Sequence, residues 1–257
     1  MNSTVVVIGL GEMGGVFSRG FLRCGHPVYP VTRHVDIREM ARNVPEPALA
    51  LVAVAENDLH STLDALPSAW RDKVGLLQNE LLPRDWQAHG LVDPTVVSVW
   101  FEKKKGQDYK VLVPSPTYGP GAALIEQALR SLDIPCWQVA SEAELEFELV
   151  RKNVYILTTN IAGLVVGGNV NEMWSKHQHL ARTVANDVMD IQFWLIGHEL
   201  DREKLIAGMV EAINGDLEHK CMGRSAPARL ERALQLADEA GLAVDRLREI
   251  QAQAAQS

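Results

Sequence analysis

The chain has 257 residues, 33 of them acidic and 25 basic, for a formal charge of -8, and 47% of its residues are hydrophobic. That length builds one large or two modest globular domains, and an acidic chain with no basic block to offset it excludes a nucleic-acid groove and an anionic membrane face as partners. Its three cysteines, Cys24, Cys136 and Cys221, are widely spaced and odd in number, which excludes a disulfide framework and a zinc-ligand pattern and suggests reduced thiols.

In chain order, Val5-Val6-Val7-Ile8 reads as a buried strand, and further strands are expected at His26 to Thr32, Leu49 to Ala55, Lys73 to Gln78, Val96 to Phe101, Lys110 to Val113 and Pro135 to Val139. Helix-period segments alternate with them, the pattern of a parallel sheet covered on both faces. The polar stretch between Phe101 and Val113 predicts a hairpin there instead of a crossover, with Lys103-Lys104-Lys105 at its solvated tip. Ser141 followed by Glu144 is a capping box that opens a helical region with no further strand. Helices are expected over Ser141 to Val166, Asn171 to Ile196, Asp201 to Asn214, Pro227 to Ala240 and Val244 to Ala255. The expected fold class is α/β: a doubly wound parallel-sheet domain of the Rossmann type over residues 1–140, then an all-α domain over 141–257. No leader is evident, and the longest apolar stretch, Val154 to Gly168, is broken by Thr158, Thr159 and Asn160, so a cytoplasmic protein without a membrane span is expected. His177 and His179, two apart on a helix, face different directions, and no metal site is expected.

Directly after the first strand comes Gly9-Leu10-Gly11-Glu12-Met13-Gly14, a G-x-G-x-x-G leading into a helix. In that setting the first glycine permits a tight turn, the second lets a pyrophosphate approach the backbone and the third lets helix and strand pack closely, while the helix N-terminus offers free N–H groups. The second strand ends Val31-Thr32-Arg33, with a hydroxyl and a guanidinium where a carboxylate would grip the ribose 2′-hydroxyl of NAD. Arg33 suits a 2′-phosphate, so NADP(H) is the expected cofactor.

The glycine-rich start, Leu77-Gln78-Asn79 at a strand end, the segment Val96 to Gly119 closed by Tyr118-Gly119-Pro120, and Lys152 early in the long helix together resemble the ketopantoate reductases. The segment Val96 to Gly119 matches that family's strand, basic hairpin and returning strand. The opening motif with Gly25-His26 also resembles the β-hydroxyacid dehydrogenases, but Gln78-Asn79 and the hairpin favour the former family. The resemblance implies reduction of a 2-oxo acid by hydride transfer from NADPH. Lys152 would be the general acid, with Asn79 and Asn160 as positioning groups. Two departures stand out: Ile156 occupies the place of the family's first asparagine after the lysine, and Ser225 or Pro227 the place of its substrate-binding Glu. They leave the reaction type standing and put ketopantoate itself in question. Thr159, near the Lys152 face, is a candidate substitute donor.

Expected cofactor contacts are therefore Gly9, Leu10, Gly11, Glu12, Met13, Gly14, Thr32, Arg33, Gln78 and Asn79. His219, Arg224, Ser225 and Arg229, gathered where a helix begins, form a candidate site for the carboxylate of a small-molecule substrate. The alternatives are a β-hydroxyacid dehydrogenase or imine reductase using the same crevice, and a non-catalytic NADP-binding sensor. Exposed apolar faces on the helical domain would suit a homodimer.

Overall fold

Four apolar residues in a row show no alternation because the strand they form, β1 (Val5–Ile8), is buried on both faces. The computed structural model describes residues 3–254. After β1 follow α1 (Glu12–Arg23), β2 (Val28–Val31), α2 (Ile37–Asn43), β3 (Leu49–Val52), α3 (Leu59–Asp64), β4 (Val74–Leu76), α4 (Pro83–Gln87), β5 (Thr95–Val97), β6 (Phe101–Lys103), β7 (Tyr109–Val111), β8 (Ser115–Tyr118), α5 (Ala122–Arg130) and β9 (Cys136–Gln138). The main sheet runs β2-β1-β3-β4-β5-β8-β9. Every pairing in it is parallel except β5 with β8. The chain runs from β1 outward to β2, then returns to place β3 on the other side of β1. Such a switch point opens a crevice at the carboxyl ends of the strands.

The single strand expected over Val96 to Phe101 is two. β5 stays in the main sheet, while β6 pairs with β7 in a separate ribbon. The cause is a slip in the ladder: three residues lie between Val97 and Phe101, but five between their partners Thr117 and Val111, so the second strand carries a bulge around Pro114. β8 is the returning strand that the family resemblance implied. The ribbon is fixed to the sheet unit by Phe101, whose ring centroid lies 6.2 Å from that of Phe17, and by the Tyr109 hydroxyl, which donates to the carbonyl of Leu132. One core cluster includes Val5, Val7, Phe17, Phe21, Leu51 and Ile125. α1 lies close on α5 because Gly20 has no side chain: a Cβ there would be 2.5 Å from the carbonyl oxygen of Ala128.

The helical elements are α6 (Glu142–Val166), α7 (Val170–Lys176), α8 (Gln178–Ile196), α9 (Arg202–Gly215), α10 (Ala226–Ala240) and α11 (Asp245–Ala254). Half of the expected capping box forms: Ser141 Oγ accepts from Glu144 N–H at 3.2 Å, but the Glu144 carboxylate accepts from the N–H of Ala140, one residue before the cap, at 2.6 Å. The chain divides into compact units at Glu148 and Leu149, inside α6. In the helical unit α8 packs against α7, α9, α10 and α11 and buries Val184, Val188 and Met189 completely. The one helix expected over Asn171 to Ile196 is broken at His177, whose φ of -130° and ψ of 33° are not helical. No glycine or proline marks the break. It lets α7 fold back on α8 and α9, so tertiary packing overrides a continuous local period.

Candidate functional site

Of the residues predicted to hold a cofactor, Gly9, Leu10, Gly11, Thr32 and Arg33 line one crevice at the switch point, and Glu12, Met13, Gly14, Gln78 and Asn79 are not part of its lining. Gly9 ends β1 with φ +92° and donates its N–H to the Val31 carbonyl at 2.9 Å, so the turn begins in a conformation that favours glycine. A Cβ on Gly9 would lie 2.8 Å from the Ala53 carbonyl oxygen, and one on Gly14 would lie 2.0 Å from the carbonyl oxygen of Gly9. These two glycines are demanded by the fold. Gly11, the α1 N-cap, differs: a Cβ there would meet nothing within 4 Å. Leu10 and Glu12 are exposed, and Met13 packs partly against the core.

The crevice, about 780 Å³, is bounded by Gly9, Leu10 and Gly11 after β1, Thr32 and Arg33 after β2, and the segment after β3. Arg33 is exposed, and among the described residues its guanidinium has no hydrogen-bond or ion-pair partner. Asp36 is occupied elsewhere. It caps α2, its carboxylate accepting from Arg38 N–H at 2.8 Å, while Asp58 lines the same crevice as Arg33. Ser61 and Thr62 of α3 also line the crevice, each donating its hydroxyl to the carbonyl of Asp58. They belong to no motif, and only the fold brings them here.

Beyond β4 the two predicted amides have different surroundings. Gln78 is buried; its amide donates to the carbonyls of Val52 at 2.8 Å and Val54 at 3.3 Å, tying the end of β4 to that of β3. Asn79 is half-buried, and its amide donates to the Glu56 carboxylate at 2.7 Å, a partner the sequence reading missed. Glu80 then adopts φ +60°, a left-handed conformation unusual for a residue with a side chain.

In the helical unit the remaining residues gather on one stripe of α6. Lys152, Tyr155, Thr159 and Asn160 follow helical spacing, and Lys152 is only 4% exposed. The segment between α9 and α10 closes on that stripe. The His219 ring lies 6.4 Å from Tyr155, with Nδ1 3.7 Å from the Asp216 carboxylate, and Gly163 leaves room for the Cβ of Cys221. From α10, Arg229 donates to Asn160 Oδ1 at 3.0 Å, while the Asn160 amide donates to the Ile156 carbonyl. Asn160 and Arg229 are thus brought together. Thr159 is not available as a substitute donor, because its hydroxyl donates to the Tyr155 carbonyl at 2.8 Å. Arg224 and Ser225 are exposed at the head of α10. Among the described residues no cluster of three or more His, Cys, Asp or Glu has the arrangement of a metal site. No helix among them is long and apolar enough to cross a membrane.

Lys103 departs from the solvated tip expected of it. Its side chain is 17% exposed, and its ammonium lies 3.3 Å from the carboxylate of Glu12 in the glycine turn. Lys104 does sit at the surface, paired with Glu102.

No protein-family model matches the sequence, and no curated protein is similar to it in sequence. Solved structures are similar over nearly the whole chain. The 2-dehydropantoate 2-reductase of Methylococcus capsulatus superposes with a TM-score of 0.65 at 12% identity, covering 97% of this chain and 95% of that one. A D-mandelate dehydrogenase in complex with NADH gives 0.69 at 12% identity, covering 98% of each. The dimeric ketopantoate reductase of Staphylococcus aureus gives 0.63 at 16%, again covering 98% of each. The resemblance read from the sequence therefore holds at the level of the fold, a Rossmann domain followed by an all-α domain, which this chain shares with these oxidoreductases.

Proposed function

We propose that the chain is an NADP(H)-dependent reductase of a small 2-oxo acid. The observation that carries this reading is the combination, in one crevice, of a glycine turn between β1 and α1 and a guanidinium after β2 that has no partner among the described residues. Gly11 fits a cofactor: nothing in the protein requires a glycine there, and a diphosphate approaching the backbone would. In this assignment Gly9 to Gly14 hold the diphosphate, Thr32 and Arg33 the 2′-phosphate, and Asn79, steadied by Glu56 and by Gln78 behind it, the nicotinamide ribose.

A bound nicotinamide would supply the hydride. Lys152 then gives its Nζ proton to the carbonyl oxygen as the carbonyl carbon is reduced, and its charge favours the developing alkoxide. Asn160, oriented by Arg229, positions the substrate, and His219, Arg224, Ser225 and Arg229 receive its carboxylate. Without the family's substrate-binding Glu, selectivity is expected to favour 2-oxo acids other than ketopantoate. The neighbouring D-mandelate dehydrogenase acts, by name, on an aromatic hydroxy acid. We also propose that the protein is a homodimer, as the Staphylococcus aureus reductase is described to be.

The test is NADPH oxidation by the purified protein with a panel of 2-oxo acids, including ketopantoate and the phenyl 2-oxo acid corresponding to mandelate, run beside Lys152→Ala. Turnover should appear on at least one member and fall by about 10²- to 10⁴-fold in the variant, the usual contribution of a general acid. Bound NADPH with no turnover on any carbonyl would favour the non-catalytic sensor, a reading that Ile156 and the absent Glu support. Oxidation of hydroxy acids alone would favour a β-hydroxyacid dehydrogenase.

A further inference from the structure

An ammonium has three N–H donors, and the acceptors around Lys103 match that number. Two are carbonyls of its own ribbon, those of Lys104 and Gln107, and the third is the carboxylate of Glu12. The backbone acceptors hold the charge in place so that its remaining donor faces the first turn of α1. The contact with Glu12 is loose: 3.3 Å exceeds the ~2.7–2.9 Å of a well-formed charge-assisted bond. The Glu12 side chain is also 44% exposed, so water can replace its partner.

Beside this pair lies a hollow of about 300 Å³, bounded among others by Gly11, Gly15, Arg19 and Lys103. A Cβ on Gly11 or Gly15, four residues apart on this flank of α1, would meet nothing within 4 Å. Glu12 is itself an awkward residue in a diphosphate turn, since its carboxylate repels the group the turn is shaped to hold.

We infer that Lys103 is a cofactor-contact residue: the β6–β7 ribbon supplies a positioned ammonium to the diphosphate, which displaces the carboxylate of Glu12 from Nζ. This rests on the dinucleotide-binding reading above. Arg33 would then hold the 2′-phosphate and Lys103 the diphosphate, from different strands of the same unit.

The experiment is calorimetric titration of NADPH, and separately of 2′-AMP, which carries the 2′-phosphate without a diphosphate. The wild type is compared with Lys103→Met, Lys103→Arg, Lys104→Met and the double variant Glu12→Gln, Lys103→Met. Lys103→Met should raise the Kd for NADPH roughly tenfold, the effect of one lost charge-assisted bond. Lys103→Arg should retain most of the affinity, and Lys104→Met should stay within about twofold of wild type because that side chain is 60% exposed and paired. The Kd for 2′-AMP should not move in Lys103→Met, which also shows that the variant folds. The double variant should remain weakened. Unchanged NADPH affinity in Lys103→Met overturns the inference. So does recovery of wild-type affinity in the double variant, which would mean that Lys103 only neutralises Glu12, or an equal loss for 2′-AMP. Wild-type protein that binds neither ligand instead removes the dinucleotide reading, and this inference with it.

Discussion

A Cβ on Gly14 would sit 2.0 Å from a backbone oxygen, whereas one on Gly11 would enter open space. Two glycines of one motif thus answer to different demands, packing in one case and ligand approach in the other. Gly14→Ala should lower stability by about 1–3 kcal/mol or more, as a core clash does, read as a shift in the urea midpoint. Gly11→Ala should cost less than ~1 kcal/mol as an N-cap change, yet weaken NADPH binding by roughly tenfold or more. Equal loss of stability in both variants would contradict this division. The cysteines are also decided residue by residue. Burial pushes the Cys136 thiol up to about 12 and that of Cys221 up to about 11, so both stay protonated at neutral pH. Neither is suited to act as a nucleophile.

At the scale of elements, α11 has its start organised by another helix. The carboxylate of Asp187 in α8 accepts from the N–H groups of Arg246 at 2.9 Å and Leu247 at 3.1 Å, while Val244, just before α11, is turned to φ +41°. Burial raises the pKa of Asp187 above the ordinary 3.8, the two N–H bonds offset part of that rise, and the nearby Asp190 and Asp245 add to it. With the folded pKa raised, protonation contributes stability that is fully present below 3.8 and is lost as pH rises through the folded value. Asp187→Asn should therefore weaken the cap by about 1 kcal/mol and flatten the loss of stability between pH 4 and 7. Urea titrations of wild type and variant at both pH values measure this; identical slopes would refute it. The same scale explains the ribbon. A bulge frees β6 and β7 from the main sheet, and that freedom brings Lys103 to the glycine turn.

For the whole molecule, sheet order matters most. With β1 between β2 and β3, the loops after these three strands converge, and residues near positions 10, 33 and 60 line one crevice. In the helical unit Val165, Trp194, Leu217 and Met222 are each at least 40% exposed, apolar surface suited to a second copy of the chain. Light scattering should give twice the chain mass of 28.4 kDa, and Trp194→Glu should shift it toward the monomer; a wild-type monomer at micromolar concentration would count against the dimer.

The sequence by itself determined what depends on neighbours a few residues apart: the buried run of β1, the glycine turn and its helix, the Ser141 cap and a turn-back between Phe101 and Val113. Each is encoded by local periodicity, a cap or backbone freedom, which need no knowledge of the rest of the chain. The tertiary structure decided what joins residues far apart in sequence. Arg229 reaches Asn160 from 69 residues away, Asp187 caps a helix 60 residues on, Lys103 meets Glu12, and α7 folds back at His177 without a breaking residue. These pairings follow from which faces are buried together, and burial is settled only when the whole chain packs.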